Sequence, residues 1–306
     1  MRRLTNNFAT WPLRQVVTAR CSARCAHCHH EGVSVPMADL DADRFRREVG
    51  QGFFAHFTQV SITGGEPLLH PDIRAIVRHV TSSSALPVAV NTNGLAHPDC
   101  LAGLLKLRLT AVHISVHSSD ADVNARVFAM PYDRSRVLHN ARAVIDSGVG
   151  LCINRVILRG INSEPEEVVD FAEQWSELGA RVRLYPNLYE TVSANKQIIT
   201  GILAEALRLG YRCRCRGRHH HFDHVARGSF TWTSPCTPEA MDPPDYAQAA
   251  VFMTPHMGLK RMLSPREWPW EPGFNQALPL ALRYPRPSSW LASGEARRSA
   301  TVEVGP

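Results

Sequence analysis

Short apolar runs alternate with helical patterns from Gln15 to Asn187. The runs QVVTA (15–19), QVSIT (59–63), PVAVN (87–91), AVHISVH (111–117), LCINRVIL (151–158) and RVRLYP (181–186) are rich in Val, Ile or Leu and close to continuously apolar. That is the pattern of parallel strands buried on both faces. The stretches between them carry helix punctuation. Asp41 opens DADRFRREVGQGF, Pro71 and Asp72 open DIRAIVRHV, and 135–147 is stopped by Gly148. Ser163, Glu164 and Pro165 open EEVVDFAEQWSEL, which Gly179 ends, and 193–209 is closed by Gly210. Pro in the first turn and Gly just past the last are the usual asymmetry. Six strand-then-helix units imply a parallel sheet with right-handed crossovers. They are too few for a closed eight-fold barrel. The expected fold is α/β, a partial (β/α)6 TIM-like barrel with a C-terminal extension.

The texture changes after Gly210. RCRCRGRHHHFDHVARGSFTW is basic, His-rich and too irregular for a helix, and a strand pair is expected near 228–232 and 249–254. Beyond Ser264 the chain becomes rich in Pro and carries Trp268, Trp270 and Trp290. The predicted organisation is a barrel core over 1–210, a Cys/His-rich extension over 211–263 and a Pro/Trp-rich tail over 264–306.

Composition narrows the class. The chain has 306 residues, 44% hydrophobic and 20% charged, the profile of a globular protein. No run of about 18 apolar residues occurs, so no membrane span is expected. The N-terminal MRRLTNNFATWPLRQVV lacks an apolar signal region, which points to the cytoplasm. Lys and Arg exceed Asp and Glu by 34 to 28, giving +6. Only Lys106, Lys196 and Lys260 are lysines, so the other 31 of those 34 are Arg. A coding bias toward Arg accounts for that skew at least as well as phosphate binding does. Of the eight Cys, Cys100 and Cys152 stand alone in apolar contexts and read as core. The other six fall into two groups, which suggests metal or redox chemistry rather than a disulfide framework.

The first group is CSARCAHC, with Cys21, Cys25 and Cys28 directly after the first strand. A zinc site would need a fourth ligand, which His27, His29 or His30 could supply. A 4Fe–4S cubane suits three thiolates better, leaving one iron open. An open iron at the C-terminal end of a barrel strand lies where such folds do chemistry.

With this spacing the chain resembles the radical S-adenosylmethionine (SAM) superfamily, and four further segments extend the resemblance. TGGEP places Gly64, Gly65, Glu66 and Pro67 after the second strand, and NTNG places Asn91 and Asn93 after the third. HISVHS on the fourth carries Ser115, and Arg126 follows. INRVILRGIN on the fifth carries Asn154 and is similar to the matching strand of the molybdenum-cofactor branch that rearranges GTP. The resemblance implies a 4Fe–4S cluster on Cys21, Cys25 and Cys28. It also implies SAM held by Gly64, Gly65, Glu66, Pro67, Asn91, Asn93, Ser115, Arg126 and Asn154, with His27 against adenine. One electron from the reduced cluster would break the sulfur–C5′ bond of SAM, and the resulting 5′-deoxyadenosyl radical would abstract hydrogen from substrate. An external reductant of flavodoxin or ferredoxin type would supply the electron.

The second group is Cys213, Cys215 and Cys236. If RCRCRGR is extended, Cys213 and Cys215 share one face and Arg212, Arg214 and Arg216 the other. Three readings stand: a second 4Fe–4S cluster across the barrel mouth from the first, a zinc site using His219, His220, His221 or His224, or thiols without metal. Here the resemblance to the GTP-rearranging branch breaks, because a CxC pair replaces its wider spacing and Met262 stands near its final Cys. The leading expectation is a small-molecule substrate, a nucleotide, nucleoside or sugar, in biosynthesis. Peptide modification and sulfur insertion are the enzyme alternatives. A nucleic-acid-binding metal protein would have no reason to carry SAM motifs on successive strands, so nucleic acid is not an expected partner, nor is a membrane.

Overall fold

The structure, a computed structural model, describes residues 11–28, 38–216, 219–233, 251–257, 259–261 and 267–268. Six strands, β1 (Trp11–Val16), β2 (Phe57–Thr63), β3 (Val88–Thr92), β4 (Ala111–Ser115), β5 (Gly150–Ile157) and β6 (Arg181–Pro186), pair in sequence order and all in parallel. The helices between them are α1 (Ala42–Glu48), α2 (Gln51–Phe54), α3 (Ile73–Ser83), α4 (Pro98–Leu105), α5 (Ala121–Phe128), α6 (Arg134–Asp146) and α7 (Pro165–Glu177). Then come α8 (Val192–Arg208), β7 (Arg212–Arg216), β8 (His219–His224), β9 (Gly228–Thr233), β10 (Val251–Met253), β11 (Leu259–Arg261) and β12 (Glu267–Trp268).

These strands form a single open sheet in the order β12-β11-β10-β1-β2-β3-β4-β5-β6-β9-β8-β7. The α/β class and the open partial barrel agree with the sequence reading. Details differ for physical reasons. The segments 228–232 and 249–254 do not pair with each other: β9 adds in parallel to β6, and β10 in parallel to β1. The sheet therefore runs unbroken across Gly210. The helical pattern at 41–53 is split, because Val49 and Gly50 are extended. The unpredicted α4 and α5 had local signals, Pro98 at the first turn and an Asp120 carboxylate accepting from Asp122 and Val123 N–H.

The strands are also not two-sidedly apolar. Val60, Ile62, Val90, Val112, Ile114, Leu151, Ile153, Val182 and Leu184 are buried in one cluster with Phe45, Ile76, Val77, Val144, Val168 and Phe171 of the helices. This is the outer face. The inner face is polar: Arg14, Ser61, Asn91, His113, Ser115, Asn154 and Arg183 alternate with those core residues. An open sheet does not have to fill its concave side with hydrocarbon, so that side is left for ligands.

Candidate functional site

The three-cysteine loop begins where β1 gives out and is clamped by the segment after β2, by Phe128 and by Tyr189. Val17 N–H donates to Thr63 O (2.9 Å), Gly65 N–H to Thr18 O (2.8 Å) and Glu66 N–H to Arg20 O (2.8 Å). The TGGEP segment thus zips onto the chain leading into Cys21. A Cβ on Gly64 would lie 2.5 Å from Thr18 O, and one on Gly65 would lie 2.3 Å from Arg20 O and 2.8 Å from Cys21 Cβ. The glycines allow close approach of the cysteine loop as well as of any ligand. On the far side Arg24 N–H donates to Phe128 O (2.9 Å), at the end of α5, and Tyr189 Oη donates to Cys28 O (3.1 Å).

Glu66 is buried and ties this loop to the end of β3. Its carboxylate accepts from Leu68 N–H (3.1 Å), Thr92 Oγ1 (2.8 Å) and Asn93 N–H (2.7 Å). Burial nevertheless holds its carboxyl above the ordinary range, because these bonds only partly offset desolvation. Asn93 is likewise buried, accepting from Leu95 N–H (2.9 Å) and reaching Ser22 Oγ at 3.5 Å. Pro67 is buried at the start of the short 3-10 turn that Glu66 caps, while Arg126 is exposed on the last turn of α5.

Strand register gathers the other predicted residues into rows on the inner face. Asn91 pairs with His113, His113 with Cys152, and Cys152 with Arg181. One step toward the C-terminal rim, Ser115 pairs with Asn154 and Asn154 with Arg183. The second row continues through Thr231 and His221 to Arg214. His113, which the sequence reading overlooked, donates from Nδ1 to Asn91 Oδ1 (2.9 Å). Burial, then Arg183, Arg14 and Arg181, push its pKa down to about 3, so the imidazole is neutral. His117 was overlooked as well. It is buried at the end of β4, with its ring centroid 4.7 Å from that of His27 and 4.9 Å from that of Phe128. The signal lay in HISVH, where polar residues alternate with Ile and Val.

The donor set of the loop fits an iron–sulfur cluster. Cys21 is exposed, and Cys25 and Cys28 are half-buried. Burial, then the neighbouring Cys28 and Cys21, push the Cys25 thiol up to about 12. Bound cationic iron would offset the resistance of these adjacent thiols to ionisation. Among the described residues no three His, Cys, Asp or Glu converge closely enough for a single metal ion. Tetrahedral zinc would draw its sulfurs to within about 4 Å of one another, whereas a cubane spreads them over separate irons. Of the candidate zinc ligands, His29, His30 and Cys236 lie outside the described residues, and the others form no such group.

A model of the radical SAM superfamily matches residues 16–172. The chain belongs to that superfamily. A radical SAM protein uses a 4Fe–4S cluster and SAM, and this one is an enzyme of that class. It is 30% identical over 178 residues to a probable GTP 3',8-cyclase of Pyrobaculum aerophilum, covering 56% of each chain. It is 33% identical over 178 residues to the GTP 3',8-cyclase of Marinobacter nauticus, covering 56% of this chain and 54% of that one. The matched stretch thus spans little more than half of these relatives' length. The crystal structure of Streptococcus suis SuiB bound to S-adenosylmethionine superposes with TM-score 0.64 at 13% identity, over 94% of this chain and 67% of that one, which supports the fold.

The late cysteines depart from expectation. β7 is extended, as predicted, with Cys213 opposite Phe222 and Cys215 opposite His220 on β8. Phe222 in turn faces Phe230, and Phe230 faces Val182, so both cysteines lie on the outer face. Ser115 and Asn154 lie on the inner one. Cys213 packs against the core cluster, which is why this face of the strand turns toward the helices. The expected position across the mouth is not met, and Cys236 lies outside the described residues. The Arg stripe takes the inner face instead. There β6 to β9 carry Arg181, Arg183, Arg212, Arg214 and Arg216 against one carboxylate, Asp223, which pairs with Arg214 at 2.6 Å.

Proposed function

We propose that Cys21, Cys25 and Cys28 hold the 4Fe–4S cluster and that the enzyme abstracts hydrogen from an anionic small molecule, a nucleotide or sugar phosphate of a biosynthetic pathway. Cluster and SAM, when bound, supply a 5′-deoxyadenosyl radical; the protein contributes position and exclusion of water. In this reading Ser115, Asn91 and Asn154 meet SAM from the inner face, His27 lies against adenine, and Gly64, Gly65, Glu66, Pro67 and Asn93 shape the adjoining rim. Arg126 stands at its edge.

The observation that carries the substrate class is the register row that leaves Asn154 and runs through Arg183, His221 and Arg214. Arg bias alone explains Arg in place of Lys but not five guanidinium groups on one face. Forks of this kind recognise phosphate and carboxylate oxygens. With strands about 4.8 Å apart, the row reaches about 19 Å from Asn154, room for an extended anionic tail. The GTP 3',8-cyclase relatives favour a nucleotide. A cytoplasmic setting with a flavodoxin- or ferredoxin-type reductant completes the proposal. Among the described residues no helix is long and apolar enough to cross a membrane.

Anaerobic reconstitution with SAM, dithionite and deuterated nucleotides tests it. Deuterium transferred into 5′-deoxyadenosine from one of them, reduced at least tenfold in Arg183→Ala, is the expected result. Transfer from none of the nucleotides or sugar phosphates, alongside intact SAM cleavage, would defeat the substrate class.

A further inference from the structure

The rim next to the cysteine loop contains a buried donor with nothing to donate to. His117 is 2% exposed. Its backbone is held at both ends, the N–H donating to Asn124 Oδ1 (2.8 Å) and the carbonyl accepting from Asn162 Nδ2 (2.7 Å). Its Nδ1 accepts the Val156 N–H at 3.2 Å. Burial first, then His27 and Arg155, keep the ring neutral. A neutral imidazole has one proton, and an Nδ1 that accepts cannot carry it. The proton is therefore on Nε2, which is buried and lacks a hydrogen-bond partner among the described residues. Such an orphaned donor is costly and rare, and calls for an explanation.

Its neighbours indicate what it waits for. His27 occupies the position between Cys25 and Cys28, and its ring meets that of His117 edge to face, at 69°. Phe128, against the other side, accepts from Arg24, the residue before Cys25. Both rings around His117 are thus tied to the cysteine loop, and the buried donor is held beside it by the bonds of its residue to Asn124, Val156 and Asn162.

We propose that the Nε2–H of His117 donates a hydrogen bond to a sulfur of the cluster held by Cys21, Cys25 and Cys28, and so raises the potential at which that cluster takes its electron. The proposal rests on the cluster assignment above. Its physics is general: a reduced cluster is more negative, so a donor to sulfur stabilises it more than the oxidised one. The donor is already desolvated, so forming the bond costs no further loss of solvent.

The test is the cluster's midpoint potential, followed by electron paramagnetic resonance in the anaerobically reconstituted full chain without SAM or substrate. H117F keeps a planar ring and removes the donor. H117Q restores a donor and can still accept from Val156. With iron content equal to wild type, H117F is expected to disfavour reduction about tenfold, a fall of 59 mV for one electron, and H117Q to recover most of it. An unchanged potential in iron-loaded H117F would overturn the proposal. Should H117F fail to load iron, the wild type decides. A strongly coupled exchangeable proton on the reduced cluster, lost in H117A, supports the bond, and its absence in wild type refutes it. Wild type with no four-iron signal would instead overturn the cluster assignment, a failure distinct from either.

Discussion

The two cysteine groups differ in the kind of backbone that carries them. Cys21, Cys25 and Cys28 sit on a loop at the C-terminal end of β1, where the chain is free to turn three side chains toward one space. Gly64, Gly65, Phe128 O and Tyr189 Oη hold that loop from outside without occupying it. Cys213 and Cys215 sit on β7, the last strand of the sheet among the described residues. A strand fixes the face of each residue by parity, and here parity assigns the thiols to the helices and the guanidinium groups to the inner side. A loop spacing can therefore be read directly as a ligand set. A strand spacing gives only a face, and which face it is depends on the register with its neighbour.

Three changes would break the comparison at its strong end. Replacing Cys21, Cys25 and Cys28 together with Ala should abolish 5′-deoxyadenosine formation under dithionite, and undiminished cleavage would show that the loop is not the SAM-cleaving centre. Gly65→Ala should be nearly as damaging without touching a ligand. Its Cβ would meet backbone at 2.3 Å, and overpacking of this kind costs about 1–3 kcal/mol. Iron content and SAM affinity should both fall while the far end of the sheet is unaffected; a fully loaded variant would mean that the clamp is dispensable. Glu66→Gln separates bracing from ligand binding. Glutamine has a single acceptor oxygen, so it can keep the bonds from Leu68 and Thr92 but loses the one from Asn93 N–H, and thermal stability should fall by about 1–3 kcal/mol in either case. SAM affinity should fall several-fold if the charge meets SAM, and remain unchanged if Glu66 is only a brace.

The weak end is sharpened by counting iron. A second 4Fe–4S cluster on Cys213 and Cys215, as the sequence analysis expects with Cys236, would lie on the outer face, where it would relay electrons or brace the sheet edge rather than bind substrate. Anaerobic reconstitution should then give about eight irons in wild type and about four once the first three cysteines are removed, two cubanes reduced to one. If removing them leaves none, the late cysteines have no cluster role. Substrate-induced changes in the second cluster's spectrum would contradict the face that the register assigns.

Much of this was legible in the sequence because it depends on local rules. The six parallel strands, the caps and the three-cysteine loop each announce themselves within a dozen residues. What was not legible depends on partners far along the chain. Whether Arg214 or Cys213 faces the site is decided by β8, β9 and β6 in turn. His117 looked like one more residue of an apolar strand, and only its neighbours Val156, His27 and Phe128 show it as a neutral, buried donor. Asn93 reads as a cofactor contact from its motif; its hydrogen bonds add that it belongs to a turn that braces the loop.

The smallest expected effect lies between the two regions, at His113. Its folded pKa is depressed to about 3 by burial and by Arg183, Arg14 and Arg181, against about 6.5 for an unfolded histidine. A depressed histidine pKa means that the folded state prefers the neutral ring. The stabilisation is therefore fully present above about pH 6.5 and is lost as pH falls toward 3, because the unfolded chain binds the proton first. One proton contributes at most about 1.4 kcal/mol per pH unit, and His117 adds a loss of the same sign. Melting temperature followed from pH 7.5 to 4.5 should thus fall less steeply in His113→Asn than in wild type, with the curves converging toward acid. Arg183→Gln removes one of the charges holding the ring neutral, so it should raise the folded pKa and end the loss at a slightly higher pH, leaving its onset near pH 6.5, because burial is the larger cause. Parallel curves for wild type and His113→Asn would mean that the ring is already solvated, and that the guanidinium groups of β6 do not reach the floor of the inner face.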